Sequence, residues 1–137
     1  MEEYKLQTAE LLVRLFAGVL FLFQGYDKLF KIKPSGVIDS FMADASERHI
    51  PKSAVSLITY YTSLTEFIGG LLLIFGLLTN YVLFALGLDL FLVVIAFSFL
   101  EPMWDMKHVF PRLVLVVALL LMPEHYHFFS LDHFINK

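Results

Sequence analysis

Four apolar stretches dominate this chain, each long enough, or nearly so, to cross a bilayer. A hydrocarbon core of ~30 Å takes roughly 20 apolar residues of helix, and 137 residues hold four such stretches with little left over. The spans are expected at 6–29, 54–78, 81–100 and 108–124. Composition agrees, with 58% hydrophobic and 17% charged residues against about 45–50% and about 25% in soluble domains. The expected fold is all-α: an integral membrane four-helix bundle forming one domain. A cleaved leader wants a basic start and a small-residue cleavage site. This chain opens Met1-Glu2-Glu3, and its first apolar run ends Gln24-Gly25-Tyr26-Asp27-Lys28, so that run reads as a retained span.

Between the first two spans, Pro34-Ser35 starts a helix expected over 35–48. Val37, Ile38, Phe41, Met42 and Ala45 fall on one face of it. Such a helix suits the membrane interface, either as a lid over the bundle mouth or as a connector resting on headgroups. The first and third loops hold Lys28, Lys31, Lys33, Arg48, Lys52, Lys107 and Arg112, which by the positive-inside rule makes that side cytoplasmic.

Several chemistries are excluded. A net charge of −3 without a long basic run argues against nucleic acid as a partner. With no Cys, there is no disulfide framework, thiol relay or cysteine-held metal. The five His are scattered, none paired at helical ligand spacing and none deep in a span, so neither a metal site nor haem is expected. Phosphate-loop and dinucleotide fingerprints are missing too.

What remains is charge where lipid should be. An ionisable residue at mid-span costs roughly 2.5–3.5 kcal/mol on insertion scales, so it faces the bundle interior and marks function or a buried pair. Arg14, Glu66 and Asp89 are the three. Counted from Leu6 and Tyr81 at about 1.5 Å per residue, Arg14 and Asp89 lie roughly 12 Å deep; Glu66 lies roughly 18 Å from Leu78. This arithmetic predicts that Arg14 pairs with Asp89, Glu66 or both. Asp89 is then the structural anchor, and the deeper Glu66 exchanges protons with a ligand. Small residues beside the charges (Gly18, Gly25, Gly69 and Gly70) permit close helix packing. A second polar group, Gln24, Lys28, His108 and Arg112, lies toward the loop side and reads as a mouth for a polar headgroup or as simple snorkelling.

The run Arg14-x-x-x-Gly18…Phe21-x-x-Gln24-Gly25-x-x-Lys28-Leu29 resembles the opening helix of the DoxX family. Glu66-x-x-Gly69-Gly70-x-x-Leu73-x-x-Gly76-Leu77-x-Thr79 resembles its second, and Ser130-Leu131-Asp132 is similar to its C-terminal end. Many members carry His where this chain has Gln24. The resemblance implies a four-span protein of the bacterial inner membrane associated with redox systems, as a quinone-contacting subunit or as an assembly factor. No electron-carrier motif is present, so no intrinsic cofactor is expected beyond a bound quinone. On this reading Glu66, Asp89 and Arg14 handle the proton, while Gln24, Lys28, His108 and Arg112 bind the head. The alternative is a non-enzymatic scaffold that docks another membrane protein through its small-residue faces. Expected partners are membrane lipid, a protein of a redox or assembly complex, and a second copy of the chain.

Overall fold

The computed structural model describes residues 1–100, 107 and 109–135. Its helices are α1 (Glu2–Tyr26), α2 (Lys33–Glu47), α3 (Lys52–Phe75), α4 (Thr79–Leu100), α5 (Val109–Leu121) and α6 (Leu131–Ile135). Among the described residues there is no strand, in keeping with an all-α chain. Three helices are long and apolar enough to cross a membrane: α1 with its continuation to Lys31, α3 and α4. The fourth expected span is α5, apolar but only 13 residues long. It ends at Leu121 and not at 124, because Pro123 has no N–H to continue the ladder and instead opens a single 3₁₀ turn at Glu124–Tyr126.

The helices close a ring: α1 packs on α3, α3 on α4, α4 on α5, and α5 on α1. Phe21, Leu73, Leu83, Leu86, Leu90 and Val116 fill its centre. Glycines set the register of the tightest pair. A Cβ on Gly70 would meet Gly18 O at 2.7 Å and the backbone N of Leu22, and one on Gly25 would meet the backbone N of Phe67. The α1 and α3 backbones are therefore in contact, as small residues allow between membrane helices. Gly69 faces the other neighbour, its Cβ position 3.1 Å from Leu86 of α4.

The first span departs from regularity at its end. Asp27–Lys31 forms a π-helical turn, closed by the Ile32 N–H on Asp27 O at 2.8 Å. After it comes α2, whose first residue, Lys33, has φ 64°. This helix buries Ile38 and Ala45 against Val55, with Phe41 and Met42 half-buried beside them. The apolar face predicted for 35–48 is thus the packed one, on the chain itself.

At the opposite end, α3 closes on Gly76 in the left-handed conformation (φ 67°). The Leu77 N–H bonds Leu72 O and the Gly76 N–H bonds Leu73 O, the paired closure that a left-handed glycine permits. The chain then turns directly into α4 at Thr79, two residues before the expected start. The C-terminal tail holds this turn. The Asp132 carboxylate accepts the Leu78 and Thr79 N–H groups, both at 2.9 Å, and the Thr79 hydroxyl at 3.1 Å; the Asp132 N–H donates to Gly76 O at 2.9 Å. Asp132 caps α4 from a distance, doing what a neighbouring N-cap does locally.

Two predictions follow from this packing. Gly25→Ala and Gly70→Ala should each destabilise the fold by about 1–3 kcal/mol through overpacking against backbone. Gly87→Ala, whose Cβ would meet nothing within 4 Å, should be neutral or stabilising by up to about 1 kcal/mol; thermal unfolding in detergent distinguishes them. For the tail, burial alone raises the Asp132 pKa, but the hydrogen bonds from Thr79 and Leu78 and the charge of His127 outweigh it. Its carboxyl is held below the usual value. A lowered folded pKa gives stability above the ordinary carboxylate pKa, near 3.9, that is lost as pH falls through the folded value. Asp132→Asn should therefore lower the melting temperature at pH 7, and the gap to the parent should shrink below about pH 4.

Candidate functional site

At the loop end of the ring, polar groups from α1 and its continuation, from α4 and from α5 surround one carboxylate. Glu66, on α3, is completely buried. Its Oε2 lies 2.8 Å from Lys28 Nζ in the π-helical turn, and its Oε1 accepts a hydrogen bond from Gln24 Nε2 of α1 at 3.1 Å. Arg112 Nη1 of α5 lies 3.7 Å from the same Oε1. The Arg112 guanidinium also stands over the Phe21 ring, 5.7 Å from its centroid, a cation–π contact. The faces carrying these groups are the buried ones: Phe21 and Gly25 on α1, and Thr59, Thr62, Glu66 and Gly69 on α3.

Asp89 of α4 stands opposite Glu66 and feels the charges of Glu66, Lys28 and Arg112. It too is completely buried, and neither carboxylate oxygen has a hydrogen-bond partner among the described residues. Asp89, the expected anchor, is thus not the paired acid. Glu66 carries the ion pairs and anchors the site, and Asp89 is the acid left without them. The depth estimate erred because α3 ends at Phe75 and α4 starts at Thr79, bringing the two acids level. Gly69 packing on Leu86 sets that register.

Between this cluster and α2 lies a cavity of about 340 Å³, within the ~300–1,000 Å³ usual for ligand sites. Gln24, Lys28 and Arg112 stand at its polar end with Thr59 and Thr62; Val37, Phe41, Val93 and Phe97 are among its apolar walls. Three of the four residues read from the sequence as a headgroup mouth thus line one cavity. The fourth, His108, lies outside the described residues.

Arg14 belongs elsewhere. Its Nε donates to Glu10 Oε1 at 2.8 Å, its Nη1 to Leu73 O and Ile74 O at 3.0 Å each, and its Nη2 to Phe129 O at 3.0 Å. It pairs with neither Glu66 nor Asp89, contrary to the sequence expectation. The cause is register. α1 begins at Glu2 and overshoots the end of α3, so Arg14 is level with the Gly76 turn and not at mid-span. There it donates to the last carbonyls of α3, one of which, Leu73 O, also accepts the Gly76 N–H, and ties the tail to α1. Glu10, completely buried, also meets His127 Nδ1 at 2.8 Å. Neither partner was singled out in the sequence. Glu10 had a signal, since it precedes Arg14 by the four residues of an intrahelical pair.

No group of three His, Asp or Glu among the described residues is placed to hold a metal ion. The arrangement can instead bind a small amphiphile, with cationic and amide donors at one end and apolar walls elsewhere. Removing the buried counter-charge should be costly. Glu66→Gln leaves Lys28 and Arg112 facing a neutral amide and should destabilise by about 3–5 kcal/mol. Asp89→Asn breaks no hydrogen bond seen here and should cost no more than about 1 kcal/mol. Unfolding in mild detergent measures both.

The DoxX family model matches residues 9–101. That stretch takes in Gln24, Lys28, Glu66 and Asp89, and leaves Arg112 and the tail beyond it. No curated protein and no solved structure matches the chain. The family model covers well over half of the sequence, and the helices it covers include all three that are long and apolar enough to cross a membrane; the chain belongs to the DoxX family.

Proposed function

We propose that the protein binds a quinone, or a similar lipid-soluble carbonyl compound, in the cavity beneath α2 and presents it to a redox partner in a bacterial inner membrane. On this reading α5 is the fourth span, tilted little because it is short, and α2 lies at the interface. The observation that carries the proposal is one cavity with hydrogen-bond donors at one end and apolar walls around the rest. A quinone head offers two carbonyl acceptors on an apolar ring. Lys28 and Arg112 are the donors that would reach such acceptors; Glu66 holds Lys28 in place, and Gln24 donates to Glu66. When bound, the quinone supplies the electron chemistry; the chain supplies position and a water-poor surrounding. The scaffold reading has less support, because its small-residue faces (Gly18, Gly25, Gly69 and Gly70) are occupied between α1, α3 and α4.

Titration of the purified protein in nanodiscs with a short-tailed quinone tests the proposal. Binding should be saturable at one site. Lys28→Gln and Arg112→Gln should each weaken it about tenfold, the worth of a charge-assisted hydrogen bond of about 1.5 kcal/mol or more. Lack of saturable binding, or binding indifferent to both substitutions, contradicts it.

A further inference from the structure

The cavity has an edge on the outside of the molecule. Ile95 and Phe99 of α4 form part of its wall, yet 37% and 57% of their surfaces are exposed. A side chain that is both cavity wall and outer surface marks the rim of an opening. Helix α4 is the most apolar of the long helices, with a mean hydropathy of 2.6 over its span window. The outer surface at this rim is therefore one that lipid, not water, covers. The facing rim is α2, which contributes only Val37 and Phe41 to the cavity; its charged residues Asp39, Asp44 and Glu47 are exposed.

The way α2 is attached differs from that of its neighbours. Both of its flanks carry a non-glycine residue in the left-handed region, Lys33 at φ 64° and His49 at φ 59°. Among the described residues, no side-chain hydrogen bond or ion pair joins α2 to another element. Its hydroxyl bonds, Ser40 to Val37 O and Ser46 to Ala43 O, stay within the helix. Among the described residues its contacts with the rest of the bundle are apolar, including the edge-on meeting of Phe41 and Phe97 with ring centroids 5.9 Å apart. Such contact has no directional bond to break and permits sliding or lifting. The π-helical turn that carries Lys28 leads straight into the first of these joints, and π turns recur at functional positions of helices.

We infer that α2 is a hinged lid and that the cavity fills sideways from the bilayer, between α2 and the C-terminal half of α4. The ligand class is then an amphiphile already dissolved in the membrane, entering with its polar end toward Lys28. This rests on the reading of the cavity as a ligand site, but its test needs no ligand. The chain has no cysteine, so a single introduced thiol reports access. Thr62→Cys places one in the cavity wall and Ser40→Cys places one on the exposed face of α2. In nanodiscs, which expose both faces, each is labelled with an apolar, bilayer-soluble maleimide and with a charged sulfonate thiol reagent. The ratio of apolar to charged labelling rates should be at least tenfold higher for Thr62→Cys than for Ser40→Cys. Adding Phe41→Ala, which removes the ring contact, should speed apolar labelling of Thr62→Cys at least threefold. Ala96→Cys, also on the cavity wall, replaces Thr62→Cys if that variant does not fold. Equal ratios at the two positions, or no labelling of the cavity thiol by either reagent, overturn lateral entry. A rate unchanged by Phe41→Ala overturns the lid. Either failure leaves quinone titration as a separate question.

Discussion

A carboxylate with no exposed surface, set among apolar helices, governs the loop half of this molecule. Glu66 cannot be left alone there, because an isolated buried charge costs far more than any single contact returns. Its partners come from every side: Lys28 from the π-helical turn, Gln24 from α1 and Arg112 from α5. Two chain segments, α1 with its continuation and α5, must therefore converge on one point of α3. The convergence orients the long side chains whose other face is the cavity wall. The groups that surround Glu66 thus also line the cavity.

The opposite end of the ring is built by the same rule with different parts. Arg14 joins Glu10, the last carbonyls of α3 and the tail carbonyl of Phe129, while Asp132 caps α4. Between the two polar ends lies a layer of Phe21, Leu73, Leu83 and Leu86, and the glycine contacts of α1 on α3 hold that layer in register. One end is tied by backbone and side-chain hydrogen bonds, and at the other, among the described residues, α2 packs through apolar contacts.

How much of this could be read from residues alone depends on whether the signal was local. Apolar runs and the period of α2 are local, and they located the helices to within a few residues. The inward faces of α1 and α3 were legible for the same reason. Register between helices is not local. The depth of Arg14 was counted from Leu6, but α1 starts at Glu2 and its position against α3 is set by Gly18, Gly25 and Gly70 touching backbone. That shift moved Arg14 to the tail and made Lys28, a member of the loop-side polar group about four turns further along, the principal partner of Glu66. The role of Asp132 was out of reach, because a cap supplied from more than 50 residues away leaves no spacing to recognise.

The claim on which the account turns is that Glu66 and Lys28 depend on each other and not merely on burial. A double-mutant cycle with Lys28→Gln and Glu66→Gln, read as unfolding free energy in bicelles, measures that dependence directly. The account predicts a coupling of about 2 kcal/mol or more, with the double variant more stable than the sum of the two single losses implies. Losses that add to within about 0.5 kcal/mol would contradict it.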